Sequence, residues 1–155
     1  MVQAPLLEFV FEARVKVAPP IEMGETPRGR QRMIPILGGT VEGPNFRAEV
    51  LAGGADWQIL RPDGATELTA HYVIRAEDGT LIAVINRGLR HAPPEINARL
   101  LAGEKVDPAH VYFRATPTFA SASPDHEWLN RSIFICTGER APDSVVLKFF
   151  RVLSR

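Results

Sequence analysis

Apolar and polar side chains alternate with a period of two along most of this chain, and no other feature constrains its fold as much. From Phe9 to Val17 every odd position is apolar, while the even positions from Glu12 to Lys16 are charged. Successive side chains of a β-strand point to opposite faces, so this pattern predicts a strand with one buried and one solvated face. A chain built mainly of such segments is expected to fold as a sheet.

Turn signals separate these segments. Asp78-Gly79 joins residues 68–77 to residues 80–86 and marks the clearest hairpin. Gly53-Gly54 separates two shorter strands, and it fits either a tight hairpin turn or a bulge in one bent strand. Residues 94–102 are the only good helix candidate, because proline suits the first turn and the glycine that follows suits the end.

Short, evenly spaced strands without strand–helix alternation predict an all-β fold, either a sandwich or a barrel. We expect a closed or nearly closed antiparallel barrel of about 8–10 strands with one short helix, because closure removes exposed sheet edges. Residues 1–155 then form a single domain. The last strand, residues 144–153, is apolar on both faces, so it predicts a homodimer or higher homo-oligomer.

Charge and composition exclude several classes of protein. Lysine plus arginine equal aspartate plus glutamate, 18 against 18, so the basic excess of a nucleic-acid-binding protein is missing. No apolar run approaches the length of a membrane span, and the N-terminal segment is typical of a first strand and not of a signal peptide. We therefore expect a cytoplasmic protein with no nucleic-acid or membrane partner. The one cysteine, Cys136, lies in an apolar run and is expected to be a buried, inert thiol.

The familiar cofactor and metal motifs are missing from the sequence. It contains no phosphate loop, no dinucleotide fingerprint, no H-E-x-x-H and no cysteine pair. The histidines His71, His91, His110 and His126 are too widely spaced to resemble known zinc motifs. We therefore expect neither a cofactor nor a metal site.

The segment richest in chemical side chains contains Gly53-Gly54, Asp56-Trp57, Arg61 and Asp63-Gly64 in that order. It resembles the signature of the uncharacterised protein family 0311, the domain of unknown function 3237. Further matches along the chain are Gly38-Gly39, Tyr112-Phe113-Arg114 and Trp128-Leu129-Asn130. The resemblance implies a small β-barrel and no established activity.

Two adjacent residues of this segment allow two interpretations each. Asp56 is either a turn residue that caps backbone N–H groups beside the glycines or a buried base whose pKa is raised by burial. Trp57 is either a core side chain or a stacking wall for a ligand. On the next strand His71 and Arg75 share the polar face. If that face points inward, they place a proton shuttle beside a permanent cation; if it points outward, they are surface residues.

The leading hypothesis is a small-molecule site in the barrel, because small barrels offer one concave, mostly apolar cavity. The candidates to line it are Asp56, Trp57, His71, Tyr72, Arg75, Arg114, Trp128 and Asn130. An enzyme of this kind would be a cofactor-free isomerase, cyclase or lyase that transfers protons. Asp56 or His71 would be the base, and Arg75 or Arg114 would hold an anionic or carbonyl oxygen.

Two alternatives stay open beside that hypothesis. The first is a non-catalytic ligand-binding or carrier barrel with the same cavity, and the second is a structural oligomerisation domain. The most specific prediction concerns the enzyme hypothesis, which needs two titratable groups in one cleft. Asp56 and His71 lie on consecutive strands and are expected to face one cavity, beside Trp57 or Tyr72.

Overall fold

The computed structural model describes residues 1–154 as one closed antiparallel barrel. Its strands are β1 (Leu7–Val17), β2 (Ile21–Thr26), β3 (Gly29–Glu42), β4 (Arg47–Val50), β5 (Ala55–Leu60), β6 (Thr66–Ala76), β7 (Leu81–His91), β8 (Tyr112–Ser121), β9 (Phe134–Arg140) and β10 (Ser144–Val152). Its helices are α1 (Pro94–Leu101) and α2 (Glu127–Asn130). The barrel has eight strand positions, because β4 and β5 share one position and β2 lies outside the ring. The predicted fold class is confirmed.

Closure of the ring depends on β1, which pairs with β10 on one side and with β3 on the other. The remaining strands follow in chain order from β6 to β10, each antiparallel to the next. β2 forms a hairpin with the first part of β3, and the same part of β3 pairs with β5. The first part of β3 is therefore hydrogen-bonded along both of its edges.

The break at Gly53-Gly54 is a bulge in one bent strand and not a hairpin turn. β4 and β5 both run between β3 and β6. Val50 lies opposite Ile74 and Ala55 lies opposite His71, so five steps on one strand oppose three on the other. The difference is even, so the same alternate positions face the interior on both sides of the break.

Aromatic side chains fill one end of the barrel. The buried rings are Phe11, Phe46, Phe119, Phe134 and Phe149. Phe11 is central, with its ring centroid 4.8 Å from that of Phe149 and 5.2 Å from that of Phe46. α2 closes this end with the buried Leu129. None of these five rings lines the cavity inside the barrel, which lies toward the opposite end.

The opposite end is covered by α1 and the segment after it. α1 begins at the predicted proline, and its buried face carries Leu100. Val106 follows in the loop and is also buried. The predicted helix is confirmed, whereas the second helix, α2, was not predicted. Its four residues form one turn, which is too short to show a helical repeat in the sequence.

The outer face of β10 is only partly covered. Leu147 and Phe149 point into the barrel and are buried, while Phe150 is half-buried and contacts Phe9 edge to face at 5.9 Å. Phe9 itself is 42% exposed. The homo-oligomer inferred from this strand therefore stays a prediction. No helix in residues 1–154 has the length and apolar character needed to cross a membrane.

Candidate functional site

A cavity of about 50 Å³ lies inside the barrel, between the aromatic end and α1. Its walls are mainly aliphatic, with side chains from β1, β3, β6, β8 and β10. Four polar side chains with amide or charged groups reach it: Asp56, Asn86, Arg90 and Arg140. A space of this size holds a few water molecules or the reacting group of a larger molecule. The combination of apolar walls and a few polar groups is typical of a small-molecule site.

A chain of hydrogen bonds orients Asp56. Arg32 Nε donates to Gln58 Oε1 at 2.8 Å, and Gln58 Nε2 donates to Asp56 Oδ2 at 2.8 Å. Arg32 and Gln58 are both almost fully buried. Strand alternation explains the arrangement, since Asp56 and Gln58 occupy successive inward positions of β5, and β3 carries Arg32 directly opposite Gln58. The carboxylate therefore has a fixed orientation in the cavity.

The second carboxylate oxygen of Asp56 has no such partner. Oδ1 is inaccessible to solvent and accepts no hydrogen bond from any of residues 1–154. Burial raises the pKa of Asp56, although the bond from Gln58 and the charges of Arg90 and Arg140 oppose that rise. The interpretation of Asp56 as a cap of backbone N–H groups is therefore wrong. A buried carboxylate with a raised pKa and a free oxygen suits proton abstraction.

Two buried arginines lie on the cavity wall beyond Asp56. Arg90 is 1% exposed and Arg140 is 9% exposed. Burial lowers the pKa of both, that of Arg90 to about 10. The Arg90 guanidinium lies over the ring of Phe113, with Cζ 5.7 Å from the ring centroid, which holds it in place. These cations make the cavity electropositive.

The other polar groups at or next to the cavity are neutral. Tyr72 is buried, and the loss of solvent raises the pKa of its hydroxyl, so this group stays protonated at neutral pH. Asn86 Nδ2 lies 3.8 Å from Cys136 Sγ. Cys136 is fully buried, and burial raises the pKa of its thiol to about 12. The predicted buried cysteine is confirmed, and its protonated thiol is a poor nucleophile.

His71 lies outside the barrel, so the prediction that Asp56 and His71 share a cavity is wrong. His71 is exposed and pairs with Ala55 and Ile85 across the sheet. Its neighbours Ala70 and Tyr72 line the cavity, and adjacent residues of a strand point to opposite faces. Asp56 and Tyr72 are therefore the candidates that the structure brings together at the cavity.

Three other candidates lie on the outer surface. Arg75 is exposed and forms an ion pair with Glu49. Arg114 is exposed, donates to its neighbour's carbonyl oxygen and lies over the ring of Tyr112. Trp57 is 50% exposed on the outer face of β5. The prediction that these side chains bind a ligand in the barrel is therefore wrong, because each occupies an outward position of its strand.

The remaining two candidates have structural roles at the aromatic end. Trp128 packs against Phe46 and Phe134, with ring centroids 6.3 Å and 5.9 Å away. Asn130 bonds both backbone groups of Ser121 at 2.8 Å and so ties α2 to β8. Neither residue lines the cavity.

Sequence reasoning missed the residues Arg32, Gln58, Asn86, Arg90 and Arg140. A signal for two of them was present in the hairpin at Asp78-Gly79. Counting back from that turn places Asn86 opposite Ala70 and Arg90 opposite Thr66, on the face shared with Tyr72. Arg140 carried no comparable signal, since only ring closure brings β9 to this cavity.

Residues 1–154 contain no group of three histidine, cysteine, aspartate or glutamate side chains placed to hold a metal ion. At the cavity, the charges of Arg90 and Arg140 act on the same space as the Asp56 carboxylate. Such cations repel a metal ion and attract an anion.

Comparisons with known proteins identify close relatives. A family model described as "Protein of unknown function (DUF3237)" matches residues 5–152. A UPF0311 protein of Clostridium acetobutylicum is 44% identical over 146 residues, which cover 94% of this chain and 92% of the relative. The crystal structure of a conserved protein of unknown function from Rhodopseudomonas palustris matches with a TM-score of 0.94 at 37% identity, over 99% of this chain and all of that one.

One further relative carries the name of an activity. The hydroalkoxylation enzyme phnH of Penicillium herquei is 32% identical over 80 residues, which cover 52% of this chain and 53% of that protein. The likeness spans half of each chain and joins this barrel to a protein named as an enzyme.

Proposed function

The chain belongs to the DUF3237 family of proteins of unknown function, and on that premise we propose that it is a small-molecule enzyme that transfers protons without a cofactor, with Asp56 as the general base. One observation carries this proposal. The buried Oδ1 of Asp56 faces a mainly apolar cavity and has no hydrogen-bond partner among residues 1–154. Leaving a buried carboxylate oxygen unpaired costs free energy. Groups of this kind are concentrated at functional sites, where the unpaired oxygen takes part in binding or catalysis.

The reaction class that fits best is ring closure by addition of a hydroxyl across a conjugated carbon–carbon double bond. Asp56 takes the hydroxyl proton, and the oxygen attacks the β-carbon to form a ring and an enolate. The same proton then returns from the Asp56 carboxylic acid to the α-carbon. The substrate is isomerised, the carboxylate is regenerated, and no oxidant or reductant is consumed. The name of the Penicillium relative supports this class, because hydroalkoxylation is the addition of an O–H group to a double bond.

A model substrate tests the proposal directly. Cyclisation of 1-(2-hydroxyphenyl)but-2-en-1-one to 2-methylchroman-4-one creates one stereocentre, and the uncatalysed reaction gives a racemate. We expect the protein to accelerate ring closure and to enrich one enantiomer, as measured by chiral chromatography. Asp56→Asn should lower the catalysed rate at least about tenfold, because an amide cannot accept the proton. Since burial raises the pKa of Asp56, the rate should rise with pH through a midpoint above 3.8.

The control is His71→Ala, which removes an exposed group from the outer face of the same strand pair. This variant should keep the rate and the enantiomeric excess of the unaltered protein. Equal rates for Asp56→Asn and the unaltered protein would refute the role of Asp56. A protein that binds the compound yet returns the racemic background rate would be a carrier barrel.

A further inference from the structure

The charges around the cavity are unevenly matched. Arg32 has partners, since its Nη1 lies 3.6 Å from the Glu22 carboxylate and its Nε donates to Gln58. Arg90 and Arg140 form no ion pair within residues 1–154. Nε and Nη2 of Arg90 and Nε of Arg140 are buried and donate to no atom of that part of the chain.

Burying an unpaired guanidinium group costs free energy, because the group loses its hydrogen bonds to water and gains no protein partner in exchange. Both side chains line the cavity, so an anion there would lie beside both. Together they carry two positive charges against the single negative charge of Asp56. One further negative charge would balance this set, which favours a singly charged ligand group over a multiply charged one.

We propose that Arg90 and Arg140 bind the carboxylate of a small organic acid, so that the substrate class is a small organic monoanion. This inference rests on the proposed function only in naming its substrate class. Aliphatic walls favour the carbon atoms next to the ionised group, and a guanidinium fork fits the two oxygens of a carboxylate. Inorganic phosphate would gain nothing from the aliphatic lining.

The position of Arg90 is fixed before any ligand arrives. Phe113 lies against its guanidinium, and Gly138 leaves room for that ring, since a Cβ at Gly138 would lie 2.6 Å from Phe113 Cζ. Leu100 of α1 and Val106, both buried, line a small space together with the same arginine. Donors held rigidly in an apolar site stabilise negative charge without reorganisation. Arg90 would therefore also stabilise an enolate oxygen that forms beside Asp56.

The test measures binding of acetate and benzoate against their neutral isosteres, acetamide and benzamide, at constant ionic strength. We expect both carboxylates to raise the melting midpoint with increasing concentration, and to shift the arginine Nε–H signals in NMR spectra, while the amides do neither. Arg90→Met and Arg140→Met should each weaken carboxylate binding at least about tenfold, since each removes a buried charge partner. Arg90→Lys should keep part of the affinity, because it retains the charge without the fork.

Arg75→Met and Arg114→Met are matched controls, because each removes the same charge from the exposed outer surface. They should leave carboxylate binding unchanged. Amides that bind as well as the acids, or outer variants that weaken binding as much as the inner ones, would overturn the inference. Equal stabilisation by chloride or phosphate would also overturn it, because the site would then accept any anion.

The outcome separates this inference from the proposed function. Loss of ring closure in Asp56→Asn without any carboxylate binding would leave the catalytic proposal standing and remove only the anion site. Carboxylate binding through Arg90 and Arg140 in a protein with no Asp56-dependent turnover would leave the anion site standing and remove the catalytic proposal.

Discussion

Gly39→Ala is expected to lower the free energy of unfolding by about 3 to 5 kcal/mol, the largest single effect on stability that we predict. Gly39 lies on β3 opposite Val15, in the pairing that closes the barrel. An added Cβ would lie 2.1 Å from the carbonyl oxygen of Arg14, so β1 and β3 would have to separate. The φ angle of +151° adds backbone strain for any other residue. Urea denaturation followed by circular dichroism measures the loss.

Gly53→Ala is the matched control. Gly53 also has a positive φ, +106°, yet apart from its two chain neighbours no described residue has an atom within 4 Å of the added Cβ. This substitution should cost only the backbone term, about 1–2 kcal/mol. Similar losses for the two variants would show that backbone conformation, and not the close approach of β1 to β3, dominates at Gly39.

Arg90→Met is expected to stabilise the ligand-free protein by about 1–4 kcal/mol. Burial lowers the pKa of Arg90 to about 10, which corresponds to a cost of roughly 3 kcal/mol for holding the charged form in the folded protein. Methionine has no charge to desolvate and fits the apolar surroundings of Leu100 and Phe113. Arg75→Met, on the exposed surface, should change the stability by less than about 0.5 kcal/mol. Thermal and urea unfolding at pH 7 measure both variants.

The pH dependence provides a second check on Arg90. At pH 7 the guanidinium is charged in both the folded and the unfolded chain, so the full cost of burial is present. Above pH 10 the folded state releases its proton before the unfolded state does, and stability rises with pH in that window. The advantage of Arg90→Met should therefore shrink as the pH rises above 10. A variant that is less stable than the parent at pH 7 would show that Arg90 supports the fold and is not held there at a cost.

The sequence by itself determined the class of fold. Period-two alternation and the turn at Asp78-Gly79 gave the β6–β7 hairpin, and the proline and glycine around residues 94–102 gave α1. These features are local, because strand alternation, turn geometry and helix ends depend on neighbours in the chain. The family resemblance was also visible in the segment around Asp56, and the family match confirms it.

The sequence did not determine which face of each strand points into the barrel. Most residues of the site could therefore not be predicted. Alternation defines two faces without naming the buried one, and the general exposure of charged residues argues for arginines outside. That rule holds for Arg75, which is exposed, and fails for Arg90, which is buried at the cavity where we propose that its charge binds an anion. The predicted contact of Asp56 with His71 failed because alternation does not name the buried face of β6, and the register places Ala70, not His71, opposite Asp56.

Only the closed barrel decided which polar groups meet. Arg32 on β3, Asp56 on β5, Arg90 on β7 and Arg140 on β9 come from separate strands of the ring. Their charges interact because each strand turns one alternate set of side chains toward a common axis. Such contacts join residues far apart in sequence and depend on strand register around the whole ring, which no local pattern records.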